Sequence, residues 1–167
     1  LRAGLLGLLV LTVPVGISLA QSLGIEIFAN LPTGSFPSAI VYGPDHSYWV
    51  TQLRGNAVTK FQEPDTLTQI DLLQQDAAPY DAVVGPDKAV WFTQKHAGTI
   101  AKVQPAAGGA VASVIEFPLD NANADPSQIA FGHEGGLWFT EFDADRIGFV
   151  TPSGQTNDFL LAAGTRP

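Results

Sequence analysis

The chain has 167 residues and carries 8 Lys+Arg against 16 Asp+Glu, a formal net charge of −8. That balance excludes a nucleic-acid backbone or an anionic membrane surface as the main partner, since both recruit clustered cations. The absence of cysteine excludes disulfides, thiol nucleophiles, zinc–thiolate sites and iron–sulfur clusters, and 46% hydrophobic against 14% charged residues excludes wholesale disorder.

Residues 3–20 read AGLLGLLVLTVPVGISLA without a charge, and Arg2 precedes them. Ser18 and Ala20 place small residues at the −3 and −1 positions of a cleavage after Ala20. Pro14, Gly16 and the polar Gln21-Ser22 favour a cleaved signal peptide over 1–20 rather than a membrane anchor. A secreted or periplasmic protein, free of the membrane after cleavage, is the expectation. There is no initiator Met, so further sequence is expected at this end. Over 21–33, Ile25-Glu26-Ile27-Phe28 and then Leu31-Pro32 predict a lone outer strand.

Three later segments align without gaps: Pro37-SAIVYGPDHSYWVTQ, Pro79-YDAVVGPDKAVWFTQ and Pro126-SQIAFGHEGGLWFTE. Each has Pro at its start, Gly six residues on, Trp twelve on and Thr fourteen on. The tryptophans Trp49, Trp91 and Trp138 are 42 and 47 residues apart, a period that marks a repeat architecture. The units run over 34–75, 76–122 and 123–167.

Each unit predicts four strands. The first is an apolar run (Ile40-Val41-Tyr42, Ala82-Val83-Val84, Ile129-Ala130-Phe131) that suits burial on both faces, beginning near Ala39, Asp81 and Gln128. A turn such as Gly43-Pro44-Asp45 or Gly85-Pro86-Asp87 leads to the Trp strand. The third strand holds Val58, Ile100 or Ile147. Turns at Glu63-Pro64-Asp65, Gly108-Gly109 and Pro152-Ser153-Gly154 lead to the fourth. No segment after residue 21 keeps a 3.6-residue apolar period. The predicted fold is all-β: a β-propeller of three four-stranded antiparallel blades in an incomplete ring. The shared register of Pro, Gly, Trp and Thr weighs against a β-sandwich. Pro167 falls where another unit would open, so the chain is expected to continue.

Candidate chemistry is sparse. His46 and His133 fall in first hairpin turns and His96 in a second, positions that suit solvated turn residues better than ligands. Asp45, Asp87 and Glu134 share one turn position, which turn geometry explains without calcium. Asp143-Ala144-Asp145 is a short acidic cluster, but no Asp-x-Asp-x-Asp-Gly loop accompanies it. The recurring tryptophans read as packing between blades rather than ligand stacking.

The motif of Pro126 to Glu141 resembles the virginiamycin B lyase (streptogramin B lyase) family. So do Arg146-Ile147-Gly148-Phe149-Val150-Thr151-Pro152-Ser153-Gly154 and Glu116-Phe117-Pro118-Leu119. The resemblance implies a seven-bladed propeller that opens a cyclic depsipeptide at its ester by elimination, using Mg2+. It also implies histidines directly after blade-opening prolines, helped by the Glu of a Trp-Phe-x-Glu strand. Here Ser38, Tyr80 and Ser127 follow those prolines, and none can carry a proton as imidazole does. Gln52 and Gln94 stand at two of the Glu places, leaving Glu141 as the one candidate binding and metal residue. One carboxylate does not make a magnesium site, which wants about six oxygen ligands. No catalytic residue is assigned, and the histidines are expected in blades beyond this chain. The implied partner is a small molecule or peptide on the propeller face. A non-catalytic recognition propeller and a calcium-dependent lactonase-like hydrolase are the alternatives.

Overall fold

The computed structural model describes residues 30–64, 66–105 and 111–167 (111–113 by their backbone). The signal peptide expected over 1–20, the strand expected at Ile25–Phe28, Asp65 and the Gly108-Gly109 turn lie outside the described residues; Leu31 is not in a strand. All regular elements described are strands. One antiparallel sheet holds β1 (Pro37–Tyr42), β2 (Tyr48–Gln52), β3 (Ala57–Gln62) and β4 (Thr66–Asp71) in chain order. The second holds β5 (Pro79–Val84), β6 (Val90–Gln94), β7 (Thr99–Pro105) and β8 (Val111–Pro118). The third holds β9 (Pro126–Phe131), β10 (Leu137–Glu141), β11 (Arg146–Val150) and β12 (Thr156–Leu160). β1 lies against β5 and β5 against β9, so the sheets fan out from their first strands as propeller blades, in an open arc.

The shared Gly, Trp and turn acid form one packing unit. A Cβ on Gly43, Gly85 or Gly132 would stand 2.5–2.6 Å from the ring of Trp49, Trp91 or Trp138, so only glycine lets the indole lie there. The indole N–H donates to the turn acid: Trp49 to Asp45 at 3.1 Å, Trp91 to Asp87 at 2.9 Å and Trp138 to Glu134 at 3.3 Å. In the first two blades a lysine closes the unit, Lys60 on Asp45 at 2.7 Å and Lys102 on Asp87 at 2.8 Å. Burial alone would raise both aspartates, but the lysine and indole bonds outweigh it and hold them below the usual carboxylate range. In the third blade Phe149 replaces the lysine, its ring 5.0 Å from that of Trp138.

The shared threonine joins neighbouring blades. The first strands begin at Pro37, Pro79 and Pro126, two residues earlier than expected. The ladder is interrupted just after the first two prolines, between Pro37 and Ile40 and between Pro79 and Ala82. The amides freed there find the threonine hydroxyl: Ala39 N–H donates to Thr51 at 2.9 Å and Asp81 N–H to Thr93 at 3.1 Å. Each hydroxyl then donates to the next blade, Thr51 to the Tyr80 carbonyl at 2.9 Å and Thr93 to the Ser127 carbonyl at 2.7 Å.

Side chains alternate along strands, so each blade offers two faces. The Trp face of the first blade (Trp49, Val58, Leu72) packs on Val90, Phe92, Ala101 and Val103 of the second. Likewise Trp91, Ile100 and Leu119 pack on Leu137, Phe139 and Val150 of the third. Trp49 and Trp91 are fully buried, and burying so large a side chain stabilises by about 2–3 kcal/mol. Trp138, with no blade on its face among the described residues, is only half-buried. The first strands correct the expectation of burial on both faces: Ile40 is 67% exposed and Tyr42 and Phe131 are 53% exposed. Ile40 and Tyr42 lie on the face of the first sheet opposite Trp49, which has no neighbour among the described residues, whereas Phe131 stands opposite Leu137, on the face that meets the second blade.

Candidate functional site

At the rim where the second strands end, Gln52 lies opposite Pro37, Gln94 opposite Pro79 and Glu141 opposite Pro126. Backbone register therefore gathers the residue after each opening proline and the last residue of each second strand along one rim. All three rim residues are buried. The Gln52 amide donates to the Thr59 hydroxyl. The Gln94 amide donates to Glu116 Oε1 at 3.1 Å, while its own Oε1 is buried without a partner among the described residues.

Glu141 differs. It is 2% exposed, and its carboxylate makes no hydrogen bond or ion pair with a described residue. The sequence allows a surface pair with Arg146, directly opposite in the ladder, but that guanidinium bonds Asp158 instead. Burial pushes the Glu141 carboxyl above its ordinary range; Asp158 and Asp120 add to the rise and Arg146 opposes it. Glu141 faces a cavity of about 140 Å³ shared with Asp120, Asn121, Phe139, Thr156 and Asp158.

The junction of the second and third blades holds a group that sequence reading missed. Lys95 donates to Ser127 Oγ at 2.7 Å and pairs with Asp125 at 3.1 Å. Its ammonium also sits 4.8 Å from the Tyr80 ring centre and 5.7 Å from that of Phe142. The available signal was the residue after each second strand: Leu53, Lys95 and Phe142, one charge among three. Lys95 also lines a shallow groove of about 350 Å³ with His96, Asn123, Asp125 and Asp143.

The other candidates separate. His46 bonds Tyr42 Oη at 3.1 Å, His96 pairs with Asp76 at 3.2 Å, and His133 lies 3.2 Å from Glu134. Asp145 accepts from the Gly164 and Arg166 amides at 2.7 and 2.9 Å, so the acidic cluster splits between a backbone cap and the groove. No three His, Asp or Glu side chains among the described residues stand together as metal ligands. Beside Ser127 a cation is already in place, the Lys95 ammonium. These residues do not fit magnesium.

A sequence model of the virginiamycin B lyase family matches residues 18–167. The chain belongs to that family. A solved streptogramin B lyase shares 30% identity at a TM-score of 0.75, covering 83% of this chain and 46% of that one. The selenomethionine-substituted virginiamycin B lyase of Staphylococcus aureus gives 27% identity, a TM-score of 0.76 and the same coverages, 83% and 46%. A catalytically inactive variant of that lyase, solved with quinupristin, gives 27% and 0.73 over 81% of this chain and 45% of that one. No curated protein sequence matches the chain. This virginiamycin B lyase family member thus spans less than half the length of the solved lyases. Within the three blades described, the rim places that the family resemblance ties to histidine hold Ser38, Tyr80 and Ser127.

Proposed function

We propose that the chain is an arc of an exported virginiamycin B lyase-family propeller. In this reading it holds a cyclic-peptide ligand against the rim at Lys95 and Ser127, and residues outside these three blades supply the ester-opening elimination. The observation that carries the reading is the Lys95–Ser127–Asp125 cluster. It puts hydrogen-bond donors and a fixed positive charge on the rim, in a groove whose one imidazole, His96, pairs with Asp76. An ammonium so placed can orient a ligand carbonyl. Family membership and the quinupristin complex of a 27% identical lyase support the ligand class.

The test is incubation of the complete protein with quinupristin, followed by mass spectrometry. A linearised product without added water is expected. Lys95→Ala should raise KM several-fold with kcat little changed, as loss of uniform binding does. A second reading, a recognition propeller without catalysis, draws on the same cluster, because Lys95 would repel a metal at that junction. Quinupristin bound but left intact would select it, and neither binding nor turnover would overturn both. The calcium-dependent lactonase reading has no observation in its favour.

A further inference from the structure

Equivalent positions in the second and third blades carry opposite hydrogen-bond chemistry. In the second, Phe92, Ala101 and Glu116 lie side by side across three strands, with Gln94 at the rim of the same face. The Gln94 amide supplies the proton that Glu116 accepts. In the third, Phe139, Gly148 and Asp158 take the three places and Glu141 takes the rim. The donor has become an acceptor. Glu141 is nine-tenths buried and more, has no hydrogen-bond partner among the described residues, and faces the cavity that Asp158 and Asp120 also line. Arg146 pairs with Asp158, which leaves two carboxylates of the cavity uncompensated. Asn121 and Thr156 add neutral polar atoms, and buried Leu119 and Phe139 leave only a narrow apolar strip.

We propose that this cavity binds an alkylammonium group, whose N–H donors replace the amide present in the second blade. The lining is mostly polar, so the N–H donors carry the recognition, and no metal-holding group of carboxylates exists among the described residues. A volume of about 140 Å³ admits an ammonium with a short stem. The inference does not rest on the lyase reading.

The test uses the complete protein without any lyase substrate. Binding of n-butylammonium and of Nα-acetyl-lysine amide is followed by saturation-transfer NMR and by the rise in melting temperature. Glu141→Gln, which restores the amide of the second blade, should weaken butylammonium about tenfold or more, the worth of a charge-assisted hydrogen bond. Asp158→Asn should weaken it as well. Butylammonium alone binding assigns a free amine, and both probes binding assigns a lysine side chain of a ligand. Equal butylammonium affinity in wild type and Glu141→Gln overturns the proposal, as does Mg2+ or Ca2+ binding there while butylammonium does not.

Discussion

A buried carboxylate with no partner is costly, and Glu141 is such a group. Its ordinary value is 4.5, and burial and the neighbouring Asp158 and Asp120 raise it in the folded chain. Below about 4.5 both states hold the proton, so the group is neutral to stability. As pH rises through the window up to the raised value, the unfolded chain ionises first, and stability falls. Above that window the loss is complete. Glu141→Gln removes the penalty, so its melting temperature at pH 7 should exceed that of the wild type in ligand-free protein. The gain should be at most about 1 kcal/mol, since the carboxyl opens onto the cavity and water there screens it, and it should vanish near pH 4. Thermal melts of both forms across pH 4–8 check this; a gap that persists unchanged at pH 4 would remove the carboxyl from the explanation. Asp45 and Asp87 behave with the opposite sign. Their lowered values give stability that is present above 3.8 and lost as pH falls through the lowered range.

At the scale of the element, the spacing of Gly, Trp and Thr announced the blades because each residue type answers one geometric demand. Glycine clears the indole, tryptophan fills the space between blades, and threonine reconnects the interrupted first strand to its neighbour. Those demands recur with the sheet, so they are visible as periodicity. The rim was less legible. Spacing placed Glu141 at a strand end but could not say that Arg146 would choose Asp158, because both acids lie within reach of one guanidinium. Lys95 was missed because its partners Ser127 and Asp125 come from the next blade, some 30 residues on. The exposure of Ile40 and Tyr42 was missed for a related reason, since burial of a first strand depends on blades to either side. The threonine link makes a direct prediction. Thr93→Val keeps the volume but orphans the Asp81 amide and the Ser127 carbonyl, both otherwise satisfied. Denaturant unfolding should show a loss of about 1–3 kcal/mol. Thr140→Val, whose hydroxyl accepts from Gln128 but donates to no described residue, should cost less.

For the whole molecule, the decisive quantity is the apolar surface at the two ends of the arc. Ile40, Tyr42 and Leu67 lie on the open face of the first blade; Phe159 and half-buried Trp138 lie on that of the third. Interior blades show what such positions require. Trp91, the counterpart of Trp138, is fully buried because a third blade covers it. If each end face leaves on the order of 300 Å² of apolar surface in water, covering both is worth roughly 15 kcal/mol at about 25 cal/mol/Å². That equals the upper end of a whole domain's stability, about 5–15 kcal/mol. The solved lyases are more than twice as long as the stretch they share with this chain, long enough to supply covering blades. Residues 30–167 expressed alone should therefore self-associate or bind a hydrophobic dye, with Trp138 open to a soluble quencher while Trp49 and Trp91 stay shielded. In a complete protein of the lyases' length all three tryptophans should be shielded and dye binding lost. Light scattering and acrylamide quenching on both proteins read this out. A monodisperse, cooperatively melting monomer of residues 30–167 would mean that the end faces are stable in water, and that the blades of this family need no neighbour to close them.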